Sequence, residues 1–139
     1  MAKPKVESCM DRQTHAIRAD DDLYDVVQRL IDRSVTGGIV VDEHDRPVGI
    51  LSEAECLALL SEGDDGRFPH GRVENFMADA ITVEPNMDIY YVAGMFNAHA
   101  ERRRFAVVDD DGKLIGVVTR KDILKLIHRE LMASPASRA

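Results

Sequence analysis

Two residues near the end of the chain, Thr119 and Asp122, have the spacing of the first turn of a helix. Backbone N–H groups are unpaired there and point outward, so an anion is favoured at such a position. The Asp122 carboxylate could accept two hydrogen bonds from a ribose diol, and the Thr119 hydroxyl could donate one to a phosphate oxygen. Gly116, three residues earlier, would let a ligand approach the strand backbone closely. These three residues are the first candidates for a binding site.

The same spacing occurs at Ser52 and Glu55, with the longer carboxylate. One additional methylene displaces the carboxylate by roughly 1 Å, which disfavours a two-oxygen contact with a diol. Ser-x-x-Glu is also the pattern of a capping box, in which the two residues satisfy each other's backbone donors. We therefore expect Ser52 and Glu55 to cap a helix. The same alternative remains open for Thr119 and Asp122.

Both motifs belong to an internal repeat with an offset of 67 residues. In this register Val40-Val41-Asp42 aligns with Val107-Val108-Asp109, and Gly49-Ile50-Leu51-Ser52 aligns with Gly116-Val117-Val118-Thr119. Between residues 39 and 57, five of 19 aligned pairs are identical. This agreement indicates that the chain contains two copies of one structural unit.

Each copy has the hydrophobic pattern of a β-α-β-β-α unit. A short strand precedes an amphipathic helix, and two short apolar runs with a polar turn predict a hairpin before the second helix. We place the first repeat at 6–60, a polar linker at 61–72, the second repeat at 73–131 and a disordered tail at 132–139. A unit of about 60 residues is marginal alone. The predicted fold is therefore α/β (α+β), with the two copies packed about a pseudo-twofold axis and two related clefts between them.

Composition excludes several classes of function. The 18 basic and 25 acidic residues give a net charge of −7, which argues against general binding to a nucleic-acid backbone. The apolar runs are far shorter than the roughly 20 residues that span a bilayer, so we expect no membrane association. Cys9 and Cys56 are too far apart in the sequence for a zinc motif, and reduced thiols suit a cytoplasmic protein. Neither a catalytic pair nor a metal cluster has useful spacing, so we expect no enzyme activity and no metal site.

The duplication, together with the Val-Val-Asp and Gly-x-x-Thr-x-x-Asp series, resembles the cystathionine-beta-synthase (CBS) domain pair. The resemblance extends from about Val6 to Leu131. It implies a regulatory, non-catalytic module that binds AMP, ADP, ATP or S-adenosylmethionine between its repeats. It also implies a homodimer. Because the sequence contains no effector domain, we expect the module to act on a separate protein or as a free-standing sensor.

The resemblance also implies further residues of a nucleotide site. It places basic residues at the positions of Arg103 and Arg104, where they hold phosphate, and a guanidinium is well suited to that contact. It places the first-repeat residues His15, Val35 and Thr36 around the adenine, and Val117 on the apolar side of the site. With Gly116, Thr119 and Asp122, these residues make one competent site per chain, whereas we expect the Ser52–Glu55 cleft to be empty or weak.

Two alternatives remain open at this point. The run Arg102-Arg103-Arg104 has the composition of a solvated surface that offsets Asp109-Asp110-Asp111, and this acidic run is itself typical of a turn. The chain could also be a structural homodimerisation module whose clefts hold no ligand. Titration with adenine nucleotides separates this alternative from a sensor.

Overall fold

The protein is described by a computed structural model over residues 3–63 and 67–133, which form six strands and four helices. Their order is β1 (Ile17–Arg18), α1 (Leu23–Arg33), β2 (Gly37–Val41), β3 (Pro47–Ser52), α2 (Glu53–Glu62), β4 (Thr82–Val83), α3 (Ile89–Ala98), β5 (Arg104–Val108), β6 (Leu114–Thr119) and α4 (Arg120–Ala133). Each copy begins with a short 3-10 helix, at Val6–Ser8 and Val73–Asn75. The element order confirms the predicted mixed α and β fold.

The first helix of each copy begins at an aspartate, as the acidic breaks in the sequence suggest. The Asp22 carboxylate accepts a hydrogen bond from the Asp25 N–H at 3.2 Å. The Asp88 carboxylate accepts one from the Tyr90 N–H at 2.7 Å. Each carboxylate satisfies an unpaired donor of the first turn, so both helices have a defined start.

Each copy contributes one three-stranded sheet, with the strand orders β1-β2-β3 and β4-β5-β6. β1 pairs parallel to β2 and β4 pairs parallel to β5, because a helix connects the strands in each case. β2 pairs antiparallel to β3, with an irregularity between Val40 and Val41. The second helix of each copy begins directly after the last strand, which places the Ser52 and Thr119 motifs at equivalent strand–helix junctions.

The described chain divides into two compact units that do not follow the sequence repeats. The α1–α2 unit contains residues 14–63, 67–81 and 112–114, and the α3–α4 unit contains residues 3–13, 82–111 and 115–133. The leading segment of each repeat therefore packs with the sheet of the other repeat. Asp11 bridges to Val117 in the α3–α4 unit, and Ala78 bridges to Ile50 in the α1–α2 unit.

Each unit has its own apolar core. The core of the α1–α2 unit is formed by Ile17, Leu23, Val26, Val40, Leu51 and Val73. The buried apolar residues of the α3–α4 unit include Val6, Val83, Ile89, Val92, Phe105, Val107, Val118 and Leu126. In the latter, the rings of Phe96 and Phe105 stack with centroids 3.8 Å apart. Aliphatic side chains supply most of both cores, as the 5% aromatic content requires.

The end of α4 differs from the sequence prediction. The helix extends to Ala133, so the first two residues of the predicted tail at 132–139 are helical. Leu, Met and Ala are good helix formers, which accounts for the longer helix. Residues 134–139 of the predicted tail, and 64–66 of the predicted linker, lie outside the described residues.

Candidate functional site

Thr119 and Asp122 form a reciprocal hydrogen-bonded pair at the β6–α4 junction. The Thr119 N–H donates to Oδ2 of Asp122 at 2.9 Å, and the Asp122 N–H donates to Oγ1 of Thr119 at 3.2 Å. This is the geometry of a capping box. Thr119 and Asp122 therefore cap the start of α4, which is the alternative left open by the sequence. Oδ1 of Asp122 accepts no hydrogen bond from the described residues. One carboxylate oxygen holds the helix start, and the other remains available to a ligand.

The equivalent pair in the other unit, Ser52 and Glu55, has a different hydrogen-bond pattern. The Ser52 N–H and the Ser52 hydroxyl both donate to Oε1 of Glu55, at 2.8 and 2.7 Å. The capping box predicted for this pair is confirmed. Because the hydroxyl proton of Ser52 is directed at Glu55 and only 7% of Ser52 is exposed, this hydroxyl is a poor donor to a ligand.

The close approach expected at Gly116 is made by the chain itself. A Cβ on Gly116 would lie 3.0 Å from Sδ of Met10 and 3.2 Å from the Asp11 carbonyl oxygen. The neighbouring Val117 exchanges two backbone hydrogen bonds with Asp11, at 2.8 and 2.9 Å. The leading segment therefore gives a sufficient reason for a glycine here. The expectation that Gly116 also lets a ligand approach the strand backbone remains a prediction.

The predicted phosphate-binding arginines lie on the loop before β5 and at its first residue. The Arg103 side chain is exposed, whereas Arg104 is partly buried at the start of the strand. Arg103, Arg104, Gly116, Val117, Thr119 and Asp122 thus all belong to the α3–α4 unit. Six of the nine predicted site residues therefore lie on the β5–β6–α4 part of a single unit.

The other three predicted residues, His15, Val35 and Thr36, belong to the α1–α2 unit. His15 has a backbone φ of 46°, in the left-handed region that few non-glycine residues adopt. His15 and Val35 line one cavity of about 20 Å³, which has room for about one water molecule. The Thr36 carbonyl accepts a hydrogen bond from the Glu53 N–H at 2.9 Å. Val35 and Thr36 are adjacent at the start of β2, at the same end of the sheet as His15.

Arg120 is a well-anchored basic residue that the sequence analysis did not single out. Its guanidinium donates to the carbonyl oxygens of Arg102 at 2.7 Å and Phe96 at 3.0 Å. It also lies 4.8 Å from the centre of the Phe96 ring. The cation thus closes the carboxyl-terminal end of α3, where helix carbonyls are unpaired and favour positive charge. The sequence feature that could have drawn attention to Arg120 is the repeat alignment, in which Arg120 replaces the Glu53 of the first copy.

Both cysteine thiols are in environments that keep them protonated. Burial raises the pKa of Cys9 to about 11, with Asp122 adding to the increase and Arg129 opposing it. Burial, followed by the charge of Glu55, also raises the pKa of Cys56. The thiolate is the nucleophile and the metal ligand, so neither cysteine is activated for such chemistry.

Within residues 3–63 and 67–133, no three His, Cys, Asp or Glu side chains are grouped so that they could hold a metal ion. In the same part of the chain, no helix has the length and apolar character needed to cross a membrane. The α3–α4 unit does contain a helix start with a carboxylate, at Asp122, and an exposed arginine, Arg103, on the loop before β5. Such a set can bind the hydroxyls and the phosphate of a small anionic ligand.

The comparison with protein families agrees with the duplication and the two strand–helix junctions. The CBS domain model matches residues 6–62 and 73–129. The chain belongs to the CBS domain family. Its repeat is therefore a tandem pair of CBS domains, and the predicted family membership is confirmed.

Relatives in the family are longer than this chain. An uncharacterized protein of Methanopyrus kandleri is 29% identical over 103 residues, which cover 73% of this chain and 52% of that protein. An uncharacterized 33.4 kDa protein of Thermofilum pendens is 30% identical over 109 residues, which cover 78% of this chain and 35% of that protein. The chain thus spans about half or less of the length of these relatives.

Solved CBS pairs share the fold over nearly the whole chain. CBSX2 of Arabidopsis thaliana in complex with AMP has a TM-score of 0.77 and 26% identity, covering 91% of this chain and 97% of that one. The CBS domain pair of protein MJ0100, in complex with 5-methylthioadenosine and S-adenosyl-L-methionine, has a TM-score of 0.77 and 21% identity, covering 93% and 99%. Both of these solved CBS pairs thus hold adenosyl ligands.

Proposed function

We propose that this CBS pair is a non-catalytic regulatory module that binds an adenine nucleotide or another adenosyl compound. AMP, ADP, ATP and S-adenosylmethionine are the candidate ligands. The observation that carries the proposal is the Thr119–Asp122 pair, whose carboxylate keeps Oδ1 available at a helix start. The AMP complex of a CBS pair that is 26% identical over 91% of this chain supports the same ligand class.

In the proposed complex, Asp122 accepts hydrogen bonds from the ribose hydroxyls through Oδ1. The Thr119 hydroxyl, whose oxygen already accepts the Asp122 N–H, donates to a phosphate oxygen. Arg103 is exposed on the loop before β5 and supplies positive charge for the phosphate, with Arg104 as the second basic residue. The roles of His15, Val35 and Thr36 around the adenine, and of Gly116 and Val117, remain predictions of the family resemblance.

The asymmetry between the two motifs predicts one site per chain. Ser52 directs both of its donors to Oε1 of Glu55, and the Glu55 side chain is one methylene longer than Asp122. Gly37-Gly38 also stands where the second repeat has Arg104-Phe105. The Ser52–Glu55 junction therefore lacks both the free hydroxyl donor and the basic residue of its counterpart.

The test is calorimetric titration of the full chain with AMP, ADP, ATP and S-adenosylmethionine, together with thermal unfolding. A ligand at about 100 times its Kd stabilises the folded state by about 2.7 kcal/mol. Asp122→Ala should weaken binding about 10- to 100-fold, in line with the loss of a hydrogen bond to a charged group. Glu55→Ala is the matched control, because it also removes a capping carboxylate but should leave affinity unchanged.

A second candidate function is a homodimerisation module that holds no ligand. The capping role of both motifs favours it, because each carboxylate already has a structural partner. This function predicts a dimer that is the same with and without nucleotides, and no change in melting temperature with any of the four ligands. Equal losses of affinity in the Asp122 and Glu55 variants would contradict the single-site assignment instead.

A further inference from the structure

The two hairpin turns of the protein have matching backbone features. They lie at 42–46, between β2 and β3, and at 109–113, between β5 and β6, and they align in the sequence repeat. In each turn the N–H of the third residue donates to the carboxylate of the first aspartate, at 2.8 Å and 2.9 Å. The fourth residue is left-handed in both turns, with a φ of 62° at Asp45 and of 79° at Gly112. Aspartate and glycine both occur in this conformation, so the turn accepts either residue.

The turns differ in the pair of residues at this left-handed position. The first turn has His44 before Asp45, whereas the second has Asp111 before Gly112. In an Asp-Gly step, the carboxyl carbon of the aspartate and the backbone nitrogen of the glycine can close a five-membered ring, and no Cβ on the glycine obstructs their approach. Asp111 is exposed to solvent, and Gly112 is partly exposed. The second turn therefore holds the groups needed for an intramolecular reaction that the first turn lacks.

The hydrogen bonding of the nitrogen at the fourth position also differs between the turns. The Asp45 N–H donates to the carbonyl oxygen of Asp42 at 3.1 Å, which closes the first turn. The equivalent Gly112 N–H makes no hydrogen bond to any of the residues 3–63 and 67–133. A nitrogen that donates a hydrogen bond must give it up before it can react, which adds to the barrier. The Gly112 nitrogen is spared this cost.

We propose that Asp111 is a site of spontaneous isomerisation to isoaspartate in the folded protein. The Gly112 nitrogen attacks Cγ of the protonated Asp111 carboxyl, a bond between nitrogen and Cγ forms, and the carboxyl hydroxyl leaves as water with the amide proton. The product is a cyclic succinimide. Water then adds at the original peptide carbonyl carbon and breaks its bond to the nitrogen, which takes up a proton. The main chain now passes through Cγ and leaves a free α-carboxylate, so the reaction needs only water and does not change the mass.

Isomerisation adds one methylene group to the main chain directly before a segment with a specific contact. Residues 112–114 pack with the α1–α2 unit, where the Leu114 N–H donates to the carbonyl oxygen of Asp45 at 2.9 Å. An added methylene displaces the following backbone by roughly 1 Å, which is enough to break a hydrogen bond. The isoaspartyl form should therefore lose this contact and have a lower melting temperature. The modification does not depend on nucleotide binding, which calorimetry measures separately.

Peptide mapping of the full chain after incubation in heavy-oxygen water tests the proposal. Opening of the succinimide by heavy water labels the product, and fragmentation by electron transfer distinguishes isoaspartate from aspartate. We expect label and isoaspartate to accumulate at Asp111 in the folded protein. The other Asp-Gly step in the sequence, Asp65-Gly66, lies outside the described residues and is scored in the same map. Conversion only at Asp65, or conversion of Asp111 only in urea-unfolded protein, would overturn the proposal.

A matched variant separates the role of the free N–H from the chemistry of the dipeptide. His44→Asp combined with Asp45→Gly creates an Asp-Gly step in the first turn, where the corresponding N–H donates to Asp42. Isomerisation at the new step should be roughly 3- to 10-fold slower than at Asp111, which is the factor that one net hydrogen bond contributes. An equal or faster rate would overturn the assignment of Asp111 as the reactive site on structural grounds.

A second variant keeps the proposal testable if the first-turn variant folds poorly. Gly112→Asp introduces the residue of the first copy at a position where Asp45 already adopts the same backbone conformation. The melting temperature should therefore change little, while isomerisation of Asp111 slows by roughly tenfold or more, because a Cβ now obstructs the approach of the carboxyl carbon. Undiminished isomerisation of Asp111 in the folded Gly112→Asp protein would contradict the mechanism.

Discussion

The α3–α4 and α1–α2 units share an element order but close their helix pairs differently. In the α3–α4 unit, Arg120 binds the end of α3 and Phe105 stacks on Phe96. In the α1–α2 unit, Glu53 and Gly38 stand at the positions of Arg120 and Phe105. The two copies have the same order of helices and strands but different side chains at these equivalent positions. The comparison teaches that side chains at equivalent positions of a repeat can close one helix pair with contacts that the other helix pair lacks.

The largest expected effect is at the aromatic stack of the α3–α4 unit. Phe105 is fully buried and lies on Phe96, so Phe105→Ala should lower the free energy of unfolding by about 3–5 kcal/mol. Urea unfolding measures this loss. Phe105→Leu, which retains most of the apolar volume, should cost clearly less. A loss below 1 kcal/mol, by the same scale, would show that this unit does not depend on the stack.

The next effect compares Arg120 with Glu53. Arg120→Met keeps an apolar stem but removes the hydrogen bonds from the guanidinium to four backbone carbonyls, so the free energy of unfolding should fall by about 1.5–3 kcal/mol. Glu53→Met is the matched variant in the other unit and should change it by less than about 0.5 kcal/mol, since the Glu53 side chain is exposed. Equal losses in urea unfolding would remove the distinction between the two helix pairs.

Two equivalent glycines provide a smaller contrast. A Cβ on Gly49 would lie 2.8 Å from the Ala78 carbonyl oxygen and even closer to Met77, whereas one on Gly116 would lie 3.0 Å from Met10. Gly49→Ala should therefore destabilise the protein by about 1–3 kcal/mol, and Gly116→Ala by less. Thermal unfolding of the two variants checks the order. A larger loss for Gly116→Ala would mean that the segment containing Met10 packs more tightly on its sheet than the segment containing Met77 packs on the other.

The smallest expected effect is a pH dependence at two partly exposed aspartates, one in each unit. A backbone hydrogen bond from Arg46 lowers the pKa of Asp42, and one from Tyr90 lowers the pKa of Asp88. A lowered pKa in the folded state contributes stability above the ordinary aspartate pKa, and this contribution is lost as pH falls through the lowered value. Urea midpoints should therefore decrease on acidification below about pH 4. Asp42→Asn and Asp88→Asn should each flatten that decrease, and an unchanged profile in both would contradict the assignment.

The sequence predicted the fold well because its signals are local. Each pattern depends on neighbours within a few residues, as in the helical spacing from Leu23 to Ile31 and in the two apolar runs around the Asp42 turn. Because the unit is duplicated, each pattern also occurs twice in the sequence. The capping box at Ser52 and Glu55 is equally local. These elements therefore appear in the structure close to where the sequence places them.

Contacts between distant residues could not be predicted in this way. Met10 covers Gly116 from more than 100 positions away, and Arg120 reaches the carbonyl of Phe96 across a hairpin. Periodicity carries no information about such partners. For the same reason the grouping of His15 with Asp122 around one ligand comes from the family resemblance alone. Titration of the Asp122 variant tests the part of the site that the local spacing predicts.

The bridge between Asp11 and Val117 has a consequence for synthesis of the chain on the ribosome. The two residues are separated by 106 positions. At a translation rate of about 5–20 residues per second, Val117 is therefore synthesised roughly 5–20 s after Asp11. Met10, whose sulfur lies beside Gly116 of β6 in the folded protein, is without this neighbour during that interval. Synthesis of β6, rather than of the leading segment, therefore completes the α3–α4 core, and a nascent chain that stalls before β6 leaves the leading segment without its partner strand.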